Sequence, residues 1–134
     1  MTVDQIGHHY YLLAQQNKWE EIIDTYYDDE VESIEPSNSK SQPYTKGKPN
    51  VKAKAVHFTS MIEEFYSGYT TQPVFAGNLF SVGMGMDIKM KGAGRMNFDE
   101  ICIFTVRNGK IIREEFIMNW SDGDGHDYHA DEGQ

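Results

Sequence analysis

Residues 79–91 read LFSVGMGMDIKMK, and this stretch decides how the second half of the chain folds. Its even-numbered positions carry six apolar side chains, which are Phe80, Val82, Met84, Met86, Ile88 and Met90. The odd-numbered positions from 81 onward are small, polar or charged. Strict alternation over this length is typical of a β-strand with one buried face. The glycines fit neither GxGxxG nor GxxxxGK[ST], so they predict no phosphate-binding loop.

Two turn signals follow this strand and predict a meander. KGAG at 91–94 leads into a strand over 95–107, and RNGK at 107–110 leads into a strand over 110–120. A three-residue turn with Gly109 left-handed would pair Val106 with Lys110, whereas a two-residue turn would pair Arg107 with Lys110. We favour the three-residue turn. Its inward face would hold Glu100, Cys102, Phe104, Ile112, Glu114, Phe116 and Met118.

The opposite face of the predicted hairpin is also apolar. It would carry Ile101, Ile103, Thr105, Ile111, Arg113, Glu115 and Ile117. A sheet with one face in water does not have this pattern. We therefore expect helices on one face and a second copy of the chain, forming a homodimer, on the other.

The first part of the chain has helical periodicity. Helices are predicted over 4–17, with Thr2 or Asp4 as the N-cap, and over 18–27. EVESIEP at 30–36 predicts a short strand, which its proline ends.

A loop over 37–50, rich in Ser, Pro and Asn, separates this strand from a third helix. Asn50 is a candidate N-cap and Gly68 a candidate C-terminal stop for this helix. The predicted apolar stripe of the helix is Val51, Ala55, Phe58, Ile62 and Phe65. Helices that precede a run of strands indicate the α+β class.

Composition limits the function. The chain has 134 residues, a formal charge of −9 and one cysteine. The negative charge argues against nucleic acid as a partner, and no apolar run could span a membrane. A lone cysteine without a signal-peptide pattern favours a cytoplasmic protein. We expect one domain over 1–120 and an acidic, mobile tail over 121–134.

Few residues suggest chemistry. The tail DGDGHDYHADE does not fit a calcium loop, and no HExxH or CxxC motif is present, so we predict no metal site. Glu35 stands on an apolar strand, where either Ile34 or Glu35 points inward. A carboxylate at the edge of a dry pocket could act as a general base, and the alternative is a surface glutamate before a turn.

Three stretches, in this order and spacing, carry a family resemblance: YYDDEVESIEP at 26–36, GKPNVKAKAVHFTSMIEEF at 47–65 and FTVRNGKIIREEF at 104–116. Together they resemble the nuclear transport factor 2-like superfamily, and more narrowly its SnoaL-like group, related to polyketide cyclases and ketosteroid isomerases. The resemblance implies a cystatin-like fold, in which a cone-shaped, curved antiparallel sheet wraps around one long helix and two shorter ones. It also implies an apolar cavity and a dimer through the outer sheet face.

The resemblance assigns catalytic roles residue by residue. In the isomerase branch the carboxylate before the proline is the base, which here is Glu35. A tyrosine of the first helix stabilises the oxyanion, and the matched position is Tyr11. A second acid on the penultimate strand matches Cys102, and a thiol is a poor substitute for it. Glu114, expected opposite Cys102, is the candidate that would bring a carboxyl group into the pocket.

The expected function follows from this cavity. We expect the chain to bind a small, mostly apolar molecule and to transform it by proton transfer without a cofactor, as isomerases, cyclases or lyases do. The alternative is a module that binds a ligand or dimerises without chemistry. The expected pocket residues are Trp19, Phe58, Ile62, Val82, Met84, Met86, Cys102, Phe104, Phe116 and Met118.

Overall fold

The computed structural model describes residues 1–39 and 41–122. Three helices and seven strands follow one another as α1 (Val3–Gln15), α2 (Trp19–Tyr26), β1 (Tyr27–Ile34), β2 (Tyr44–Lys46), α3 (Lys48–Ser60), β3 (Ile62–Thr70), β4 (Val74–Ala76), β5 (Leu79–Met90), β6 (Gly94–Arg107) and β7 (Lys110–Asp122). The α+β class is confirmed. Strand β7 continues two residues into the predicted tail, and the rest of that tail, 123–134, lies outside the described residues.

The first two helices form as predicted. Thr2 caps α1 through a capping box, in which its side chain accepts from the Gln5 backbone N–H and the Gln5 side chain accepts from Thr2 N. Ile6, Tyr10 and Leu13 of α1 are buried. Burial of this stripe holds the helix against the sheet, because a helix of this length is marginal in water without packing.

Helix α3 is shorter than the sequence predicted, and its cap is different. Gly47, with φ of 93°, occupies the N-cap position, while Asn50 lies within the helix and donates from Nδ2 to the Lys46 carbonyl. The helix ends at Ser60, so the predicted continuation to Gly68 is wrong. Ile62 and Phe65 belong instead to β3, where Phe65 pairs with Ile88. Pairing with β5 overrides the local helical period.

The sheet is mixed. Its order is β2-β1-β7-β6-β5-β3, and β4 also pairs with β5. Neighbouring strands are antiparallel except β1 and β7, which run parallel. The parallel pair places the first strand of the chain beside the last one. This pairing joins the two halves of the site described below.

The β6–β7 hairpin corrects the predicted turn. Asn108 and Gly109 both have positive φ, of 52° and 75°, and Arg107 pairs with Lys110 in a two-residue turn. A bulge follows at once, because Thr105 pairs with Arg113 whereas Val106 pairs with Ile111. The bulge restores the predicted parity farther along. Glu114 therefore shares the inward face with Phe104, its direct partner, rather than lying opposite Cys102.

Near the turn the face assignment fails for Ile111, which is fully buried instead of facing outward. Ile101 and Ile117 do face outward and are exposed at 47% and 61%. Strand β5 points its even-numbered side chains inward as predicted, with Phe80, Val82 and Ile88 at most 2% exposed. Phe80 stacks on Phe104 with ring centroids 4.8 Å apart, in the main core beneath α1.

Candidate functional site

The helices and the inner side of the sheet line a partly open cavity of about 940 Å³. This volume is within the range of small-molecule sites. Six of the expected pocket residues line it: Trp19, Phe58, Met84, Met86, Phe116 and Met118. The part of the wall that these six residues form is apolar. Its three methionines can adapt to ligands of different shape, because thioether side chains are flexible.

The other four expected pocket residues lie elsewhere. Val82, Cys102 and Phe104 are at most 2% exposed and belong to the packed core. Ile62 opens β3 and packs beside a second core cluster. Val82, Cys102 and Phe104 have the inward parity of their strands, but buried residues of α1 and α2 belong to the same core cluster and fill the space there.

Glu35 follows β1 and has the inward parity of Val31 and Ser33. It lines the cavity. Its Oε2 accepts from Nζ of Lys54 on α3 at 3.0 Å, and its Oε1 accepts from Oγ of Ser39 at 3.1 Å. The side chains of Glu35 and Lys54 are only 10% and 18% exposed. The ion pair is therefore largely shielded from water, and both carboxylate oxygens are held in place.

Glu114 also lines the cavity, at 5% exposure. The Tyr27 hydroxyl donates to its Oε1, and Ser33 Oγ donates to its Oε2 at 2.5 Å. Lys54 Nζ donates to the same Ser33 Oγ at 2.6 Å. Burial raises the pKa of Glu114, although the hydrogen bonds from Ser33 and Tyr27 oppose the rise. A continuous chain of hydrogen bonds thus runs from Glu114 through Ser33 and Lys54 to Glu35.

Glu100 on β6 is a third carboxyl group in the cavity wall, 7% exposed. Burial, followed by the negative charge of Glu35, raises its pKa to about 8. The Cys102 thiol lies 3.7 Å from its Oε1. A thiol is a weak donor, so it compensates little of the cost of ionising the carboxyl group there. Glu100 is therefore mostly protonated at neutral pH and can donate a hydrogen bond.

Tyr11 lies away from this constellation. It is not part of the cavity wall, and its hydroxyl accepts from the Gln15 side chain on the exposed part of α1 at 3.0 Å. Tyr10 and Tyr27, each 4% exposed, line the cavity instead, and burial raises the pKa of each hydroxyl well above its usual value. The structure thus does not bring Tyr11 to the cavity that Glu35, Glu100 and Glu114 line.

Cys102, the position matched to the second acid, is fully buried in the core. Burial and the charge of Glu100 raise the pKa of its thiol. Glu100, two residues earlier on the same strand face, supplies the carboxyl group instead. Within residues 1–39 and 41–122, no three His, Cys, Asp or Glu side chains are placed to hold a metal ion.

Sequence reasoning missed Glu100, Lys54, Ser33 and Thr45 as site residues. For two of these four residues, the sequence pattern contained an indication. Glu100 is a charged residue at an inward position of the predicted hairpin, and Lys54 interrupts the apolar stripe of α3 that includes Val51 and Phe58. Ser33 and Thr45 carry no such signal, because small polar residues on short strands are common at surfaces.

Comparisons with known proteins agree with this architecture. The family model of the SnoaL-like domain matches residues 1–118. The search of curated protein sequences found no match. A Mesorhizobium loti structure, whose name proposes a SnoaL-like polyketide cyclase, is 26% identical over 87% of this chain and 99% of its own, with a TM-score of 0.81.

Two further structures show the fold alone. A Xanthomonas campestris protein of unknown function with a cystatin-like fold has a TM-score of 0.70 and 14% identity, over 91% of this chain and 92% of its own. An NTF-2 like protein from Burkholderia xenovorans has a TM-score of 0.63 and 17% identity, over 90% and 84%. The superfamily and the cystatin-like fold are confirmed, with a mixed sheet in place of the antiparallel sheet that the resemblance implied. Among the helices that the structure describes, none is long and apolar enough to cross a bilayer.

Proposed function

Because the chain belongs to the SnoaL-like domain family, whose model matches residues 1–118, we propose that its cavity binds a small, mostly apolar molecule and transfers a proton on it. The reaction is proton abstraction from a carbon next to a carbonyl group, followed by return of the proton to another atom, as in an isomerase, cyclase or lyase. Both steps use side chains of the protein and need no cofactor.

The observation that carries the proposal is a pair of carboxyl groups in different environments facing one cavity. Glu35 forms an ion pair with Lys54, so it is the carboxylate that accepts the proton. Glu100, with a pKa of about 8, holds its own proton at neutral pH. A carboxylate paired with a cation and a second carboxyl group that holds its own proton are suited to act as base and as acid.

Each group has a defined part in the reaction. Glu35 removes the proton from carbon, and negative charge then develops on the carbonyl oxygen. Glu100 donates a hydrogen bond to that oxygen in a site shielded from water, where such a bond is strongest. Glu114, already hydrogen-bonded by Tyr27 and Ser33, stays in place and completes the hydrogen-bonded chain to Lys54 and Glu35.

The test is proton exchange at carbon. Small cyclic ketones are incubated with the protein in D₂O, and deuterium incorporation next to the carbonyl is followed by ¹H NMR. We expect Glu35→Gln to lower the exchange rate by at least about a hundredfold, because an amide cannot accept the proton. We expect the wild-type rate to fall as the pH rises past 8, where Glu100 loses its proton.

A matched control lies on the neighbouring strand. Glu115 is 41% exposed, pairs with Arg113 on the outer face and is absent from the cavity wall. Glu115→Gln should leave the exchange rate unchanged. Exchange that persists at the wild-type rate in Glu35→Gln would exclude Glu35 as the base.

The outer face of the sheet supports a second candidate function, association with another copy of the chain. Ile101 and Ile117 are direct cross-strand partners there, and both are exposed. Adjacent exposed isoleucines on a sheet face favour burial against an apolar partner. Sedimentation velocity at micromolar concentration tests this. Dimers that dissociate in Ile117→Lys are the expected result, and a wild-type monomer would contradict it.

A further inference from the structure

Thr45 is a buried polar residue that the proton transfer described above does not use. It is 7% exposed, lines the cavity, and its Oγ1 has no hydrogen-bond partner among the described residues. Buried hydroxyl groups are ordinarily paired, since an unpaired one has lost its hydrogen bonds to water. The Oγ1 atom itself has almost no accessible surface, so a rotation about χ1 would have to bring it to a ligand in the cavity that Thr45 lines.

The position of Thr45 is set by strand pairing. Strand β2 is antiparallel to β1, and Thr45 is the direct partner of Ser33. Directly opposed residues project from the same face. The single proton of Ser33 Oγ is given to Glu114, and the same oxygen accepts from Lys54. Thr45 therefore lies beside the polar end of the cavity without being part of the hydrogen-bonded chain there.

Lys54 can donate one further hydrogen bond at the polar end of the cavity. An ammonium group has three N–H donors. In the described part of the chain, its hydrogen bonds go to Ser33 Oγ at 2.6 Å and to Glu35 Oε2 at 3.0 Å, which leaves one N–H for a further acceptor. Its Nζ lies 5.7 Å from the centre of the Phe116 ring, which lines the cavity.

We propose that Thr45 and Lys54 form a polar subsite that binds an oxygen atom of the ligand, either a carbonyl or a hydroxyl oxygen. The Thr45 hydroxyl and the remaining Lys54 N–H both donate to this oxygen, while the apolar wall holds the rest of the molecule. The subsite rests on the proposed function only in requiring a ligand in the cavity. It requires no reaction there.

The experiment compares 2-tetralone with tetralin, which share two fused rings and differ by the carbonyl oxygen. Dissociation constants are measured by NMR titration of ¹⁵N-labelled wild type, Thr45→Val and Thr45→Ser. We expect wild type to prefer the ketone. Loss of one hydrogen bond should reduce this preference about fivefold in Thr45→Val. Thr45→Ser keeps the hydroxyl and should keep the preference.

Stability provides an independent readout. Because Oγ1 has no hydrogen-bond partner in the described part of the chain, Thr45→Val should unfold at a urea concentration equal to or above that of wild type. If the hydroxyl were paired within the protein, its removal would lower the unfolding midpoint instead, and the proposal would be overturned. Thr45→Ala, which also lacks the hydroxyl, serves as a second variant if the valine substitution prevents folding.

The outcomes separate the subsite from the reaction. An unchanged ketone preference in Thr45→Val, no preference in wild type, or no binding of either compound overturns the subsite. A preference that is lost in Thr45→Val, without deuterium exchange in wild type, upholds the subsite and contradicts the proposed reaction. Exchange dependent on Glu35 with an unchanged preference upholds the reaction and removes the subsite.

Discussion

Ser33 Oγ on β1 donates a 2.5 Å hydrogen bond to Oε2 of Glu114 on β7, across the parallel pair that joins the two strands. The two residues are 81 positions apart in the chain. Since Lys54 donates to the same serine oxygen, this hydroxyl connects the buried Glu114 to the ion pair of Glu35. One small side chain therefore links the buried Glu114 to the ion pair at the polar end of the cavity.

Removal of this hydroxyl should destabilise the fold. In Ser33→Ala, the Glu114 Oε2 atom loses its donor while it stays buried, and Lys54 loses an acceptor. We expect the free energy of unfolding to fall by about 1–3 kcal/mol, measured by urea denaturation. Ser37→Ala, at an exposed position, is the control and should change stability by less than about 0.5 kcal/mol. Equal effects of the two changes would contradict the role of Ser33.

Glu100 should make stability depend on pH. Its pKa in the folded protein is about 8, above the ordinary value of 4.5, because burial and the charges of Glu35 and Glu114 disfavour ionisation. The folded state therefore keeps a proton that the unfolded state loses. Stability falls as the pH rises from about 4.5 to 8. Glu100→Gln cannot ionise and should escape this loss.

The measurement is urea denaturation of wild type and Glu100→Gln between pH 5 and 9. The stability of the variant relative to wild type should rise between pH 5 and about 8 and then stay constant, a change of about 4 kcal/mol when the part of the pKa shift within this range is converted to free energy. Glu115→Gln, which changes an exposed carboxylate, should show no such trend. A constant difference between wild type and Glu100→Gln would mean that Glu100 has an ordinary pKa.

The Lys54–Glu35 ion pair should contribute more to stability than the exposed ion pair that Lys52, also on α3, forms with Asp24. Lys54 and Glu35 are 18% and 10% exposed, whereas Lys52 and Asp24 are 36% and 53% exposed. Double-mutant cycles with Lys54→Met and Glu35→Gln should give a coupling energy of about 2 kcal/mol. The matched cycle at Lys52 and Asp24 should give less than about 1 kcal/mol.

A high salt concentration should increase the difference between the coupling energies of the two ion pairs. At an ionic strength of about 1 M the coupling of the exposed pair should vanish, because screening acts through solvent. The coupling of the shielded pair should persist. If both respond to salt alike, Lys54 and Glu35 are more exposed in solution than in the structure.

Gly85 should be the less tolerant of the two glycines in the Met-Gly alternation. A Cβ at Gly85 would overlap the Tyr69 ring and lie 2.7 Å from Oδ1 of Asp99, to which Tyr69 donates a hydrogen bond. At Gly83 the nearest atom, Cγ2 of Thr71, is 3.1 Å away. We expect Gly85→Ala to cost about 1–3 kcal/mol through overpacking, and Gly83→Ala less.

Thermal denaturation compares these two variants, and 2-tetralone titration checks the cavity. The affected side chains lie on the face opposite Met84 and Met86, so the affinity for the ketone should stay unchanged. A change in affinity without a change in stability would mean that the strand faces are reversed.

The alternation of residues along the long strands correctly predicted which of their side chains face inward. The alternation over β5 placed Met84 and Met86 on the inner face, because side chains of a strand alternate whatever the strand pairs with. The same parity placed Glu100 and Glu114 inward on the last hairpin. The turn itself was wrong, yet the parity of Glu114 survived, since the bulge beside Ile112 compensates for the shorter turn.

Local patterns failed where a distant partner decides the outcome. Ile62 and Phe65 continue the helical period of α3, but their pairing with β5 draws the chain into a strand at Ile62. Tyr11 has the expected position in the first helix, but the packing of α1 turns Tyr10 into the protein and leaves Tyr11 beside Gln15. Neither result can be read from the spacing of residues along the chain.

The sequence by itself determined the α+β class, the family, the inward faces of the long strands and the apolar character of the cavity. The class and the inward faces follow from periodicities of two and of 3.6 residues, which act over a few neighbours. The family and the apolar cavity follow from the resemblance carried by residues 26–36, 47–65 and 104–116. Only the tertiary structure decided that Ser33, Thr45, Lys54, Glu35 and Glu114 meet at one end of that cavity. Their meeting depends on the parallel pairing of β1 with β7 and on α3 packing against β1 and β2, and such long-range pairings leave no local periodicity in the sequence.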